Sequence, residues 1–299
     1  MLWTLALACT AKTSEPVDST PVDSVAPTTP VWMVSGYRSE DVTLVDPESG
    51  AFLGVLAPVE GAQSVHPGPD GDLILIAEGR PAVLRWSPET GGDPTAWIEG
   101  EPLDAPTAAV IGPDGGVYVA DYGANCVLRY DASGAFDRVF VEPAAGTLNG
   151  PDNGMVFGPD GDLYVPSYSN HKLLRFDGDS GDFVEEIATR DDGDGLIYPR
   201  VVRFWDDRMW VSSWGGDAIL RYGLDGSFQD VFFELDGITG FDRDPTSGMV
   251  LVVSDRSTAA LPVDAATGQA GDALFDAGLE GPVGATFVHW LPDAPFLAP

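Results

Sequence analysis

A repeat marked by two separate motifs is the feature that most constrains the fold of this chain. The tripeptide Pro-Asp-Gly occurs at residues 69–71, 113–115 and 159–161, at intervals of 44 and 46 residues. A leucine-arginine-aromatic motif begins at Leu84, Leu128, Leu174 and Leu220, with spacings of 44, 46 and 46. Because two independent motifs share one period, the sequence indicates a single supersecondary unit repeated along the chain.

Each repeat has the pattern of four short strands. In the repeat that contains Pro159, an apolar run at 154–157 precedes Pro-Asp-Gly, and a second run follows it. The leucine-arginine-aromatic motif marks the third strand, and residues 183–187 mark the fourth. Pro-Asp-Gly suits a tight turn, because proline fixes φ and glycine accepts a positive φ. Four strands in 40 to 50 residues are typical of one blade of a β-propeller.

The repeats predict an all-β, six-bladed β-propeller over residues 31–299, with four antiparallel strands per blade. Blades two to six are predicted to begin near Ala62, Ala105, Gly150, Tyr198 and Asp236. Residues 31–59 contain only three strand-like runs, and the C-terminal run 282–288 has the inner-strand pattern. We therefore expect one C-terminal and three N-terminal strands to complete the remaining blade. Such closure removes an exposed strand edge.

The charge of the chain restricts its partners. There are 47 acidic and 15 basic residues, for a net charge of -32. This charge repels phosphate backbones, so nucleic acid is excluded as a partner. The acidic residues either keep an all-β surface soluble or serve a cation-dependent role, and the sequence leaves both interpretations open.

The first thirty residues predict export. The apolar run 2–8 ends immediately before Cys9 and resembles a bacterial lipoprotein signal, in which the cysteine is lipidated. Residues 10–30 are rich in Ser, Thr and Pro and predict a disordered linker. We expect an exported, lipid-anchored protein of the cell envelope that contacts the membrane through the lipid alone. The alternatives are soluble secretion and a chance apolar start.

The loops at one propeller face supply the candidate binding residues. This face collects the loops that enter the inner strands and those that join the second and third strands. The predicted ligand- or partner-binding residues there are Tyr37, Arg38, Arg80, Tyr122, Asn125, Asn153, Tyr168, His171, Arg200, Trp214 and Arg256. Exposed aromatic residues beside polar groups suit a protein, peptide or glycan. Alternatively, Tyr122, Tyr168 and Trp214 pack between blades in a structural role.

The arginine of the second motif predicts a structural contact. A residue that recurs at one strand position in successive blades is expected to join each blade to its neighbour, for example through Asp121. The recurring residues are Arg85, Arg129, Arg175 and Arg221. The single cysteine of the predicted domain, Cys126, is expected to be a semi-buried structural residue.

Residues 158–165, Gly-Pro-Asp-Gly-Asp-Leu-Tyr-Val, and 173–177, Leu-Leu-Arg-Phe-Asp, resemble the blade motifs of the NHL and gluconolactonase (senescence marker protein) superfamily. The resemblance covers nearly all of residues 31–299 and implies a six-bladed propeller. Gluconolactonase-like enzymes hold a divalent cation in the central channel. Asn153 and Glu280 match two of their ligand positions, which implies a possible Ca²⁺ site. Thr107 and Arg200 occupy positions where that family has further metal ligands, and the positive charge of Arg200 disfavours a metal ion there.

Virginiamycin B lyases share the general repeat, but their paired catalytic histidine and glutamate have no assignable counterpart here. The three histidines, His66, His171 and His289, fall in different blades. Two hypotheses follow. The first is a monomeric, non-catalytic envelope lipoprotein that binds a protein, peptide or glycan. The second is a metal-dependent, lactonase-like hydrolase or a lyase with its site in the central channel. Whether the chain is an enzyme stays open.

Overall fold

The computed structural model describes residues 30–87, 90–143, 145–274 and 280–288 of the 299-residue chain. The predicted signal with Cys9, the predicted linker up to residue 29, and His289 lie outside the described residues. The linker and signal boundaries therefore stay predictions. Among the residues that the structure describes, no helix has the length and apolar character needed to cross a membrane.

The described strands form six antiparallel sheets, arranged as successive blades. Blade one contains β1 (Val31–Gly36), β2 (Asp41–Val45) and β3 (Phe52–Pro58). Blade two contains β4 (Ala62–Pro67), β5 (Leu73–Ala77), β6 (Ala82–Trp86) and β7 (Thr95–Glu99). Blade three contains β8 (Pro106–Ile111), β9 (Val117–Asp121), β10 (Cys126–Tyr130) and β11 (Phe136–Val141).

The remaining blades repeat this order. Blade four contains β12 (Val156–Phe157), β13 (Leu163–Ser167), β14 (Lys172–Phe176) and β15 (Phe183–Thr189). Blade five contains β16 (Pro199–Trp205), β17 (Arg208–Ser213), β18 (Ala218–Gly223) and β19 (Phe228–Glu234). Blade six contains β20 (Ile238–Arg243), β21 (Met249–Ser254) and β22 (Ala259–Asp264), its three strands within the described residues.

The two ends of the described chain close the ring in one sheet. The last strand, β23 (Pro282–Val288), pairs antiparallel with β1, and the sheet order is β23-β1-β2-β3. Val31 lies opposite Val288 in this register, so β23 is the inner strand of blade one. The predicted six-bladed propeller and its closure by one C-terminal and three N-terminal strands are confirmed.

Pro-Asp-Gly forms the turn between the first and second strands of its blade. Between β4 and β5, Asp70 and Gly71 have φ values of 60° and 83°. The N–H of Gly68 donates to the carbonyl of Asp72 at 2.7 Å across this turn. The corresponding bonds in the next two blades, at Gly112 and Gly158, are both 2.8 Å long. The turn chemistry predicted from the sequence is confirmed.

The core lies between the blades. All five residues of β5, of β9 and of β13 are buried. Each middle strand is covered on both faces by neighbouring blades, which explains its continuous apolar run after Pro-Asp-Gly. Trp32 of blade one, for example, belongs to a buried cluster that also contains Leu251 and Val253 of blade six.

Buried hydroxyl groups on the inner side join successive blades. The Ser35 hydroxyl donates to the carbonyl of Gln63, and the Ser64 hydroxyl donates to that of Thr107, both at 2.9 Å. The Thr107 hydroxyl donates to Pro151 at 3.0 Å. The Thr239 hydroxyl donates to the carbonyl of Pro282 at 2.8 Å, which links blade six to blade one. These hydroxyl groups supply donors to backbone carbonyls of the inner strands, which have no neighbouring strand on the channel side.

The predicted role of the recurring arginines is wrong in one respect, because their ion pairs lie within a blade. Arg221 pairs with Asp230 at 2.6 Å, on the adjacent strand of blade five. The other three pair with carboxylates of their own blades: Arg85 with Asp72, Arg129 with Asp114 and Asp137, and Arg175 with Asp160, Asp162 and Glu185. Asp121 is buried and instead accepts the backbone N–H groups of Asp104, Ala105 and Ala124.

Candidate functional site

Six residues at equivalent positions surround the entrance to the inner strands. Each directly follows the second strand of its blade, which is β1 in blade one. We call these residues the mouth ring: Tyr37, Glu78, Tyr122, Tyr168, Trp214 and Asp255. Each ring residue donates its backbone N–H, over 2.9 to 3.3 Å, to a carbonyl just before an inner strand. The acceptors, in the same order, are Gly281, Gly61, Ala105, Gly150, Tyr198 and Gly237.

The ring in blades three to five is aromatic and continuous. The ring centroids of Tyr122 and Tyr168 are 6.4 Å apart, and those of Tyr168 and Trp214 are 6.2 Å apart. Tyr198, in the loop before β16, lies 4.7 Å from Tyr168 and 5.8 Å from Trp214. Aromatic pairs at these distances attract each other through edge-to-face and offset contacts. The sequence predicted three of these residues and missed Tyr198.

The close approach of two loops explains the position of Tyr122. Gly150 has a φ of 70°, and a Cβ atom there would lie 2.7 Å from the Tyr122 ring. Only glycine fits this conformation and this space without movement of the ring. The Tyr122 hydroxyl is 3.1 Å from the hydroxyl of Ser169. The side chain is still 38% exposed, so part of its surface is free to meet a partner.

The ring in blades six and two is acidic, with Tyr37 of blade one between the two carboxylates. Asp255 accepts a hydrogen bond from the indole N–H of Trp214 at 2.9 Å, where the two halves meet. In blade two, Glu78 accepts a bond from the amide of Gln63. The charge of Glu78, followed by burial, raises the pKa of the neighbouring Tyr37 above its usual value. The mouth thus has an aromatic side and a carboxylate side.

A buried ion pair supports the aromatic side from below. Arg200 donates through Nε and Nη2 to the two carboxylate oxygens of Asp152, at 2.9 and 3.3 Å. The side chains are 13% and 5% exposed. Burial acts to lower the pKa of Arg200, but the charge and hydrogen bonds of Asp152 outweigh it and the pKa is raised. Arg200 is therefore a compensated cation. The sequence analysis expected the positive charge of Arg200 to disfavour a metal and did not include its partner Asp152.

Guanidinium groups also stack on the aromatic side. The Cζ atom of Arg256 lies 3.9 Å from the centroid of the Trp214 ring. Asp217 and Asp236 hold the same guanidinium at 3.1 and 2.8 Å. The Cζ atom of Arg200 lies 5.9 Å from the centroid of Tyr168. Both distances fall within the range of a cation–π interaction.

Two amide side chains below the ring have unsatisfied oxygens. Asn153 is 3% exposed, and its Nδ2 donates to the carbonyl of Val283 at 3.3 Å, between blades four and one. The Asn153 Oδ1 and Gln63 Oε1 atoms are buried and have no hydrogen-bond partner. A buried amide oxygen without a donor costs roughly 1–3 kcal/mol. These two acceptors therefore suit a ligand, ion or water that donates or carries positive charge.

The predicted metal ligands Asn153 and Glu280 lie on the loops that enter the inner strands of blades four and one. Asn153 supplies a partnerless amide oxygen, and the Glu280 carboxylate is exposed three residues before Val283. Ca²⁺ takes six to eight oxygens, so water would have to supply most of them. No group of three or more His, Cys, Asp or Glu residues with metal-binding placement occurs within the described ranges. The divalent cation stays a prediction.

The other predicted site residues surround the ring. The Arg38 backbone N–H donates to the carbonyl of Glu280, and Arg80 pairs with Glu99 at 3.5 Å on the exposed surface. Asn125 accepts from the N–H of Gly150 at 2.7 Å, so it holds the loop between blades three and four. His171 accepts from the N–H of Tyr198 at 3.1 Å, and burial followed by the charge of Arg190 lowers its pKa. Asn125 and His171 therefore position loops at the aromatic side.

No protein-family model and no curated protein matches this chain. Among solved structures, it is similar to a chain in the crystal structure of a nidogen/laminin complex, with a TM-score of 0.73 and 15% identity over 86% of this chain and 98% of that one. The fold is that of the β-propellers. A protein of unknown function from Bacteroides caccae has a TM-score of 0.65 and 13% identity, over 87% of this chain and 98% of that chain.

A streptogramin B lyase structure is also similar, with a TM-score of 0.60 and 15% identity over 87% of this chain and 88% of that chain. At these identities the similarities establish the fold alone, because one propeller architecture serves many unrelated functions. The neighbours include a protein in a protein–protein complex and an enzyme. Both a binding propeller and an enzymatic propeller are therefore compatible with the fold.

Proposed function

We propose that this chain is an exported binding propeller of the cell envelope, whose mouth ring receives a protein, peptide or glycan. The observation that carries the proposal is the continuous aromatic side of the ring, built from Tyr122, Tyr168, Tyr198 and Trp214 on loops of three blades. Large aromatic residues beside charged groups are the usual anchors of binding surfaces. A purely structural role would favour their complete burial, whereas Tyr122 remains 38% exposed.

If Cys9 is lipidated, as we propose, the direction of β1 determines which face of the propeller is turned toward the membrane. The hairpin between β1 and β2 contains the ring residue Tyr37, so β1 runs toward the ring and Val31 lies at the opposite face. A linker that precedes residue 31 joins the propeller at that opposite face. Under this proposal the mouth ring points away from the membrane, where it is open to a partner. The gluconolactonase-like and NHL-like assignments also remain proposals that rest on the blade motifs.

The ring is tested with two aromatic variants, Tyr168→Ala and Trp214→Ala. Phe228→Ala is the matched control, because Phe228 is an exposed aromatic residue on an outer strand, 44% exposed and away from the ring. Binding of defined synthetic peptides and purified oligosaccharides is measured by fluorescence anisotropy. We expect the ring variants to lose at least about tenfold in affinity, as anchor residues do. A ligand bound equally well by all four proteins would overturn the proposal.

A second candidate function is a metal-dependent hydrolase or lyase, and one observation favours it. The buried Oδ1 of Asn153 lacks a partner at the position where the gluconolactonase resemblance implies a ligand. Thermal unfolding with Ca²⁺, Mg²⁺, Mn²⁺ or Zn²⁺ tests this candidate. A stabilisation that is lost in both Asn153→Ala and Glu280→Ala, together with lactone hydrolysis, supports the enzyme. No shift with any metal removes this candidate.

A further inference from the structure

We propose that the partner of the mouth ring is basic, and that a lysine or arginine side chain of an extended peptide segment enters the ring. This inference rests on the proposed binding function and narrows it to one chemical class. It follows from three features of the described residues: the charge around the mouth, the cations already stacked on the ring, and the unsatisfied oxygens beneath it.

The charge around the mouth favours a cationic ligand. The two arginines closest to the aromatic side are already neutralised, Arg200 by Asp152 and Arg256 by Asp217 and Asp236. Within the part of the chain that the structure describes, the exposed carboxylates of Glu60 and Glu280 make no ion pair, and Arg38 is the one exposed arginine beside them that makes none either. Together with Glu78 and Asp255 of the ring, the unpaired charge at the mouth is therefore mainly negative. With a net charge of -32, the whole molecule attracts cations over long range. An anionic partner would be repelled both by the carboxylates at the mouth and, at long range, by the net charge of the molecule.

Two arginines of the chain already stack on the aromatic side. Arg256 stacks at 3.9 Å on Trp214, and Arg200 lies 5.9 Å from Tyr168. No cation lies over Tyr122 or Tyr198 among the described residues. Electron-rich rings beside carboxylates stabilise ammonium and guanidinium groups, by about 0.5–1 kcal/mol at exposed sites and more when desolvated. Tyr122, which is 38% exposed, thus provides ring surface for a cation supplied by a partner.

Two buried acceptors beneath the ring lack a donor. They are the Oε1 atom of Gln63 and the Oδ1 atom of Asn153. Once the Gln63 or Asn153 side chain turns toward the mouth, a ligand with several N–H groups complements these oxygens better than a carboxylate or phosphate does. Lysine presents three such donors and arginine five, each with a positive charge.

The test uses three fluorescein-labelled octapeptides that differ only at two central residues, which are lysine, glutamine or glutamate. Anisotropy titrations at 50 and 300 mM NaCl compare the full chain with Glu78→Gln, Glu280→Gln and Trp214→Ala. Asp70→Asn is the matched control, because it removes the same charge at an exposed turn on the opposite face. Asn also tolerates the positive φ of Asp70, so the turn is retained.

We expect the lysine peptide to bind at least about tenfold more tightly than the glutamine peptide at 50 mM NaCl, and less so at 300 mM because salt screens the charges. Glu78→Gln and Glu280→Gln should each lower the affinity for the lysine peptide by roughly two- to fivefold, the range for partly exposed ion pairs. Trp214→Ala should weaken it by at least about tenfold. Asp70→Asn should change the affinity by less than about twofold, since its charge lies far from the ring.

Other outcomes overturn the inference in distinguishable ways. Equal losses in Asp70→Asn and the two ring-side glutamine variants would mean that net charge alone attracts the peptide. Tighter binding of the glutamine or glutamate peptide, or of an oligosaccharide, with loss in Trp214→Ala would keep the binding function and reject the basic partner. Peptide binding that Trp214→Ala leaves unchanged would reject both the mouth ring as the binding site and the basic partner. Absence of lysine-peptide binding up to millimolar concentration would reject the basic partner.

Discussion

The buried pair of Arg200 and Asp152 provides the sharpest energetic prediction for the site. In Asp152→Ala the guanidinium of Arg200 keeps its buried position and loses both carboxylate bonds, of 2.9 and 3.3 Å. Removal of one partner from a buried ion pair costs about 3–5 kcal/mol, because the other charge stays desolvated without compensation. The same reasoning applies to Arg200→Met, which leaves Asp152 buried at 5% exposure.

The double variant Asp152→Ala/Arg200→Met separates this effect from ordinary loss of packing. Replacement of both charges by apolar groups is often neutral, so the double variant should be more stable than either single variant. We expect a coupling free energy of about 2–4 kcal/mol in a double-mutant cycle, above the 0.3–0.5 kcal/mol scatter of independent sites.

Urea unfolding followed by tryptophan fluorescence measures these differences. For a domain of this size, a loss of 3–5 kcal/mol corresponds to a decrease in Tm of roughly 6–20 °C, which calorimetry checks independently. The contact of Arg200 with Tyr168 also predicts weaker ligand binding in the single variants at temperatures where they are folded. Additive losses, with the double variant the least stable of the three, would refute the assignment of a compensated buried pair.

Three further predictions concern buried groups. Burial, and then the charge of Arg203, lowers the pKa of His66 to about 3 in the folded chain. As the pH falls below about 6.5, the imidazole is therefore protonated in the unfolded chain while it stays neutral in the folded chain. Between pH 6 and 4 the wild type should lose about 2.5 kcal/mol more stability than His66→Gln, measured by urea unfolding; equal pH slopes would contradict this. Burial, followed by Asp121 and Glu142, raises the pKa of Cys126 to about 12, so its thiol should react with a maleimide at pH 8 only after unfolding. Thr239→Val leaves the Pro282 carbonyl without its donor and should cost about 1–2 kcal/mol, whereas no change in Tm would show that the hydroxyl does not stabilise ring closure.

The fold was predictable because several blades carry the same motifs. Pro-Asp-Gly occurs in blades two to four and the leucine-arginine-aromatic motif in blades two to five, at one period, and this period fixes the number and length of the remaining blades. Even the closing strand β23 was recognisable, because 282–288 has the apolar inner-strand pattern but lacks the three strands that should follow. The predicted start of blade two, Ala62, is the first residue of β4, whereas the first strand of blade four, β12, begins at Val156, six residues after the predicted Gly150.

The site was less predictable, because contacts between loops carry no periodic signal. Tyr198 was missed as a site residue, although its position before an inner strand is equivalent to those of Gly150 and Gly237 in blades four and six. The compensation of Arg200 was also missed, because its partner Asp152 is 48 residues away in the preceding blade. Strand register does carry some information: Arg221 lies directly opposite Asp230 in β18 and β19, which predicts a pair within the blade.

The mouth ring combines a repeated backbone position with side chains that do not repeat. Each ring residue is held by its backbone N–H, a bond that any residue except proline makes. The fold therefore places few demands on the side chain there, in contrast to the recurring arginines, whose ion pairs stabilise each blade. Tyr122, Tyr168 and Trp214 are consecutive, and Glu78 and Asp255 flank Tyr37 on the other side. Because backbone geometry leaves these six side chains unconstrained, we attribute their composition, four aromatic and two acidic residues, to the proposed binding role.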